Sequence, residues 1–521
     1  MLTDAVLPLI LVGAIIALVS PFVAYLVDDK KLRRYPSAPG LAAVSSLWQM
    51  YHNRRGLKFL AVDQAHKDLG RVVRLGPTHL SFASPAAFKD IYGHGTTLKK
   101  GVFYDNQAGS NPNMADATDK EVHRNKRKSL AHVFAPAQIT LMEPRVQKAV
   151  EDLLACIERK SKGHQVSNAD TYIVRDGVFD LRPWLNMFSY DAITSVFWSQ
   201  PYNFLASGSD ECSALGEDGS ISRVHAMSTF HDGAAQSVLL GHLSPWWYDF
   251  TRNKLFGSSK GTKSGDKFTD MARFLTKRRL DQRPSEPDLF SNLPTATARK
   301  GQAVMGLDEL IAESSVMLNA GNDTTQTSLT NTMYFLASQP RVQEKLRRIL
   351  REALPTSQIP VASYEVLRHV NYLQAVIDES FRLQAPLGTG LPRLTTTETI
   401  IDGEIIGPGV TVSAQIWSLH RNESLFHQAS QYIPERWMAE DENTTKEERQ
   451  NLKDFVLPFS QGPRACIGRN LAYMELSICL AGLVLAYEWS LPAAGFELAH
   501  HERFNCNPIE LQVTAKKIQL A

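Results

Sequence analysis

The stretch Phe459-Ser-Gln-Gly462-Pro-Arg464-Ala-Cys466-Ile-Gly468 constrains this 521-residue chain more than any other, because it sets one cysteine in a glycine-rich turn directly ahead of a long amphipathic helical pattern. Gly462 and Gly468 let the backbone turn and come close to a flat ligand, while backbone N–H groups can point at the sulfur and temper its charge. Arg464 is placed to reach an anionic edge of the same ligand. A thiolate presented in this way is a metal ligand; the bland alternative is a buried free cysteine acting as a small hydrophobe. The other four cysteines, Cys156, Cys212, Cys479 and Cys506, are scattered without paired C-x-x-C spacing, which argues against a zinc or dithiol site and fits a reducing compartment. A net charge of +2 gives no reason to expect nucleic acid as a partner.

The N-terminus departs from a soluble pattern. Ala5 to Val27 is uncharged and rich in Leu, Ile, Val and Ala, long enough as a helix to cross about 30 Å of hydrocarbon. One transmembrane helix is the expectation; a cleavable signal peptide is the rival reading, opposed by Asp4 where a basic segment should stand. Lys30, Lys31, Arg33 and Arg34 follow the run and place the rest of the chain on the cytosolic side. Pro36 and Pro39-Gly40 then predict a stiff connection. The division expected is residues 1–34 as membrane anchor with its basic flank and residues 35–521 as one catalytic domain.

The rest reads as mainly α with a small β region. Arg71 to Ser84 predicts strands turning at Gly76-Pro77, and Glu398 to Ala414 predicts hairpins turning at Asp402-Gly403 and at Gly407-Pro408-Gly409. Gly257 to Lys267 is expected to be a flexible surface loop. Trp246, Trp247 and Tyr248 read first as core aromatics and second as a group dipping into a lipid interface. The helix after the cysteine, Asn470 to Tyr487, carries an apolar stripe of Leu471, Met474, Ile478 and Leu485.

A long helical pattern from Asp308 to Ser338 contains Ala320-Gly321-Asn322-Asp323-Thr324-Thr325. A glycine beside an acid and an alcohol weakens a helix interior, which points to a local opening or a ligand contact. Helical spacing stacks Leu310, Met317, Gly321 and Thr324 on one face, an apolar wall with a gap at Gly321. Farther on, Glu379 and Arg382 stand one helical turn apart in Glu379-Ser-Phe-Arg382, and Pro434-Glu435-Arg436-Trp437 follows.

Taken in order, these motifs resemble the cytochrome P450 family, and the N-terminal anchor resembles its microsomal, membrane-bound members. Leu26-Val27-Asp28, Arg34-Tyr35-Pro36, Tyr92-Gly93-His94-Gly95 and Gly390-Leu391-Pro392-Arg393 look like filamentous-fungal members, including benzoate para-hydroxylases and enzymes of secondary-metabolite pathways. The resemblance implies the P450 fold and a haem b whose iron takes the Cys466 thiolate as axial ligand, with Phe459, Gly462, Arg464 and Gly468 shaping the loop. It implies that Arg127, Arg393 and Arg464 hold the two haem carboxylates, together with His123, where relatives often carry tryptophan. Glu379, Arg382 and Arg436 become a buried scaffold under the cysteine loop, and Asp323 and Thr324 the acid and alcohol that relay protons to bound dioxygen. Val316, Asn319, Ala320, Gly388, Thr389 and Leu391 are the expected lining of the substrate pocket. The function implied is a monooxygenase at the endoplasmic reticulum membrane, acting on an apolar or aromatic small molecule. Its electrons come from NADPH through cytochrome P450 reductase, with cytochrome b5 as an accessory donor. The alternatives are a benzoate-type para-hydroxylase in catabolism, a reductase-independent haem-thiolate isomerase or dehydratase, and a haem sensor or carrier.

Overall fold

The computed structural model describes residues 18–109, 111–161, 177–293 and 304–519. The helices used below are, in chain order, α1 (Leu18–Val27), α2 (Lys120–Ala131), α3 (Arg182–Trp198), α4 (Ala226–Leu240), α5 (Lys260–Asp281), α6 (Leu307–Ser338), α7 (Asn371–Leu383) and α8 (Arg469–Ala486). The strands are β1 (Val72–Gly76), β2 (His79–Phe82), β3 (Arg393–Leu394), β4 (Thr411–Ala414), β5 (His500–Arg503) and β6 (Asn505–Pro508).

The 32-residue α6 is the axis of the molecule, with Asp308 and Glu309 in its first turn at the positive end of the helix dipole. Met317, Leu318, Leu329 and Met333 bury into the main core beside the almost wholly buried α3. The expected one-sided stripe on α8 is wider in fact: α8 is enclosed by α6 and by the helices Glu143–Ser161 and Pro340–Ala353, so from Met474 onward it is buried on every side.

A four-stranded sheet in the order β1-β2-β4-β3 forms a second core. Asp402-Gly403 makes the expected tight turn, both residues at positive φ (51° and 76°). The turn expected at Gly407-Pro408-Gly409 closes no hairpin. Instead β4 runs parallel to β2, Leu80 opposite Val412, and antiparallel to β3, Arg393 opposite the same Val412. Lys99 bridges Leu394 and so brings the segment after it alongside β3.

Two further expectations are corrected. The Gly257–Lys267 segment is mostly helix: Ser259 caps α5 by accepting from the Thr262 N–H, and the glycines serve helix contact. A Cβ on Gly233 of α4 would lie 2.9 Å from the Gly265 Cα of α5, so the two helices cross backbone against backbone. Trp246 and Trp247, read first as core, are 65% and 41% exposed on the short helix Pro245–Phe250, which buries no residue.

Of the expected transmembrane run, residues 5–17 lie outside the described residues; its remainder, α1, exposes Leu18, Phe22, Val23 and Leu26 to the surroundings. After it, the Asp28 carboxylate accepts the Leu32 and Arg33 N–H groups, and Pro36 and Ala38 hydrogen-bond to Arg74 of β1. Leu32 and Tyr35 pack into the sheet core, so a cut at residue 34 would remove a core side chain with the anchor.

Candidate active site

The cysteine loop is built from its backbone. Gly462 sits at φ +71°, where a Cβ would press on the Tyr92 carbonyl at 2.8 Å, so glycine is required there for turn and contact alike. The Cys466 N–H donates to the Phe459 carbonyl at 2.9 Å, and the N–H groups of Gly468 and Arg469 point at the sulfur. Cys466 keeps accessible surface although it sits deep in the protein. Burial pushes the thiol up, against those N–H groups and Arg127, so a metal cation must displace the proton. The Phe459 ring lies 5.5 Å from Phe381 of α7 and 5.0 Å from Tyr473 of α8, which fixes the start of the loop.

Beside the loop is a cavity of about 530 Å³ whose wall includes Lys100, His123, Arg127, Arg393 and Arg464. Among the described residues, none of these five has a carboxylate within ion-pair distance, as the ion pairs formed elsewhere show. Arg464 Nη1 and Nη2 are buried without a hydrogen-bond partner. Arg393 reaches its own neighbour's carbonyl and, at 3.4 Å, the Tyr104 hydroxyl, whereas Arg127 donates to the Ala465 carbonyl at 2.7 Å and so ties α2 to the loop. Unpaired buried guanidinium N–H groups are costly unless an anion meets them. A flat group carrying two carboxylates and a cation for the thiolate fits this wall; haem b has that chemistry.

His123 is placed in the wall but is not cationic there: burial, followed by Arg464, Arg127, Lys100 and Arg393, pushes it down to about 4. It offers a neutral N–H donor. Lys100, which sequence reasoning missed, lies 4.1 Å over the Tyr104 ring and donates to the Ala115 carbonyl. Nothing in the Lys99-Lys100 pair marks the second as buried; the bridge from Lys99 to β3 does that.

Above α6 lies a second cavity of about 450 Å³, lined by Val316, Asn319, Ala320 and Thr324 and by Tyr104, Phe230, Phe268 and Phe504. Its lining is half polar in kind, with Gln107, Asn111, Asn113 and Ser315, less greasy than expected. Thr324 Oγ1 donates to the Ala320 carbonyl at 2.7 Å, one turn back, at the wall of this cavity. The Gly321 gap is not on that wall. A Cβ there would meet Ile193 of α3 at 2.6 Å, so Gly321 is small for packing, and Leu310 and Met317 face the core. Gly388 is packed against Phe59 in the same way, and Thr389 and Leu391 line a smaller cavity of about 30 Å³ next door.

Asp323 is buried behind the cavity wall, where its carboxylate collects N–H donors from His231, Asn505 and Asn507. Burial would raise its pKa, but those donors overrule it and hold the carboxyl well below the usual carboxylate range. These three partners were missed as well, since they come from α4 and β6, far away in sequence.

The expected scaffold is closed and larger than its three residues. Arg382 grips Glu379 through two bonds of 2.9 and 2.8 Å, Arg436 Nε reaches Glu379 at 3.0 Å, and all three are wholly buried. Trp437 adds a donor to Glu379 at 2.9 Å, and Glu448 takes Arg436 Nη1 at 2.6 Å, giving two guanidiniums for two carboxylates.

The sequence profile of the family described as Cytochrome P450 matches residues 36–515. Similar curated proteins are the benzoate 4-monooxygenase bphA of Aspergillus niger, 30% identical over 97% of this chain and 98% of that protein, and the cytochrome P450 monooxygenase efuB of Hormonema carpetanum, 30% identical over 82% of this chain and 80% of that one. The cytochrome P450 monooxygenase poxM of Penicillium oxalicum is 27% identical over 89% of this chain and 85% of its own length. A crystal structure of a cytochrome P450, CYP102L1, shares the fold at a TM-score of 0.71 and 18% identity, covering 93% of this chain and 99% of that one.

Proposed function

This chain belongs to the cytochrome P450 family, and from that premise we propose that it is a membrane-anchored monooxygenase inserting one oxygen atom of dioxygen into a small aromatic or apolar molecule of fungal secondary metabolism. Haem b, held by the Cys466 thiolate, supplies the oxygen activation when bound. The chain's own residues do the rest. Arg127, Arg393, Arg464 and Lys100 hold the two carboxylates, with His123 as a neutral donor beside them. The Gly468 and Arg469 N–H groups moderate the sulfur charge. Thr324 places a hydroxyl at the cavity wall, and Asp323, next to it in the chain, holds the proton supply. That arrangement carries the reading: a haem-thiolate isomerase, dehydratase or carrier has no use for an alcohol on the cavity wall backed by an ionised acid.

The amide-bearing lining favours a substrate whose rings carry oxygen or nitrogen functions. A benzoate-type aromatic acid hydroxylase is the second reading, favoured by the near full-length match to a protein of that name. Electrons reach the site from a redox partner, for which NADPH–cytochrome P450 reductase is our proposal, with cytochrome b5 as accessory donor. The anchor, residues 1–34 in our division, places the catalytic domain on the cytosolic face of the endoplasmic reticulum. Trp246, Trp247, Phe250 and Leu255 form a second lipid contact, tied by the Ser46–His242 bond to the segment exposing Leu47 and Tyr51. The test is a carbon monoxide difference spectrum of the reduced protein, followed by product assay with and without reductase and NADPH. Product formed without reductase would overturn the monooxygenase reading.

A further inference from the structure

The acid of the proton supply has no access of its own. Asp323 is not part of the cavity lining, and its side chain is 2% exposed against 10% for His231. His231 Nε2 lies 3.1 Å from Asp323 Oδ1, Asn505 Nδ2 donates to Oδ2 at 2.6 Å, and Asn507 Nδ2 reaches both oxygens at 2.9 Å. Gln326 adds a longer bond of 3.3 Å. Three of these four partners are amides, which donate hydrogen bonds but do not give up protons; the imidazole alone takes a proton on one nitrogen and releases it from the other. His231 Nδ1 makes no hydrogen bond to protein among the described residues.

We propose that His231 is the positioning residue that loads Asp323. A proton enters at Nδ1, the proton on Nε2 passes to Asp323 Oδ1, and the ring is left neutral with its proton on Nδ1; loss of that proton to solvent and uptake of another at Nε2 restore the starting tautomer. No electrons move. Asn505, which lines the same cavity as Thr324, ties the acid to the cavity edge but carries no proton itself. The groups facing the imidazole are Asp323 from α6, Arg182 from α3, and Arg503 and His501 from β5. Burial keeps His231 below its usual pKa, Asp323 opposes this and the two arginines add to it, so the ring is neutral at rest and charges as pH falls. The inference rests on Asp323 and Thr324 supplying protons to the cavity.

The experiment compares wild type, His231→Gln, Asp323→Asn and the double variant as holoenzymes under one reductase supply. Glutamine keeps an N–H for Oδ1 but passes no proton. His231→Gln should bind haem and substrate as wild type does. Its ratio of product to NADPH consumed, with peroxide counted, should fall on the order of tenfold or more and lose its dependence on pH below about 6.5, where the wild-type ring charges. The double variant should be no worse than Asp323→Asn alone. A readout independent of turnover is the thermal midpoint. The folded imidazole resists the proton that the unfolded one takes near about pH 6.5, so wild type should lose stability relative to His231→Gln as pH falls through that value. Uncoupling in Asp323→Asn with unchanged coupling in His231→Gln would overturn the relay and leave the acid in place. Normal coupling in Asp323→Asn would remove the acid and the relay together. If His231→Gln does not fold, the wild-type coupling ratio followed with pH carries the test: no change as pH falls below about 6.5 would overturn the relay.

Discussion

Cys466 and Thr324 are the two residues whose chemistry is most separable. Cys466→Ala should leave a folded protein that lacks the thiolate-type carbon monoxide band and makes no product, since a neutral ligand supplies no comparable electron push; wild-type turnover in that variant would end the haem-thiolate assignment. Thr324→Ala should still bind haem and substrate and accept electrons. Its product rate should fall by about 10² or less, because water can stand in for a lost hydroxyl, and NADPH consumption should outrun product as peroxide appears. Unchanged coupling would make the Thr324 to Ala320 hydrogen bond a purely structural one. These residues were legible because each sits in a contiguous motif. Lys100, His231, Asn505 and Asn507 were not, because their partners are brought from distant segments by strand order and helix crossing. Gly321 was misread for the same reason: the chain next to it in space, Ile193 on α3, has no trace in the local sequence.

At the scale of elements, the contact between α6 and α8 carries an unadvertised titratable group. Glu475 is buried on α8 and, among the described residues, accepts only the Thr325 hydroxyl at 3.2 Å and leaves Oε1 without a partner. Burial pushes its pKa up to about 8, so the folded carboxyl keeps a proton that the unfolded one gives up near 4.5. Its stability is therefore complete below about pH 4.5 and declines as pH rises toward 8. Glu475→Gln should raise the unfolding free energy, and with it the thermal midpoint, by an amount that grows from about pH 5 to pH 8 and reaches on the order of a few kcal/mol. A constant offset across that range would mean that Glu475 is ionised in the fold. The same scale shows where periodicity succeeds. The long α6 and α8 stand within a residue or two of their expected bounds, while α5 was hidden because its glycines, which sequence reads as loop, serve a close crossing with α4.

For the whole molecule, two exposed apolar surfaces, α1 and the helix Pro245–Phe250, carry the proposal of a membrane contact. Deleting residues 1–27 spares Leu32 and should release much of the protein from microsomes while keeping the haem site; adding Trp246→Ala and Trp247→Ala should release the rest. Centrifugation with a carbon monoxide spectrum on each fraction checks both, and full retention by the combined variant would show that some other surface holds the lipid. The P450 fold was readable from ordered motifs spread along the chain. The exposed apolar surface was half readable: the N-terminal run stands out by composition, but the aromatic pair looks like core until its six-residue helix is seen to bury nothing.

The cationic wall has a consequence for how the protein is made. Before haem arrives, Lys100, Arg127, Arg393 and Arg464 repel one another across the cavity, and among the described residues none forms an ion pair, Asp116 and Asp119 acting on Lys100 and Arg464 only from farther off. The segments that carry them, the stretch before Val102, α2, β3 and the cysteine loop, come from four separate parts of the chain. Their closing together should therefore be the step that the cofactor completes, leaving these segments less protected than the packed helices until it binds. Backbone amide exchange in these four segments, compared with and without haem, reads out that order of assembly.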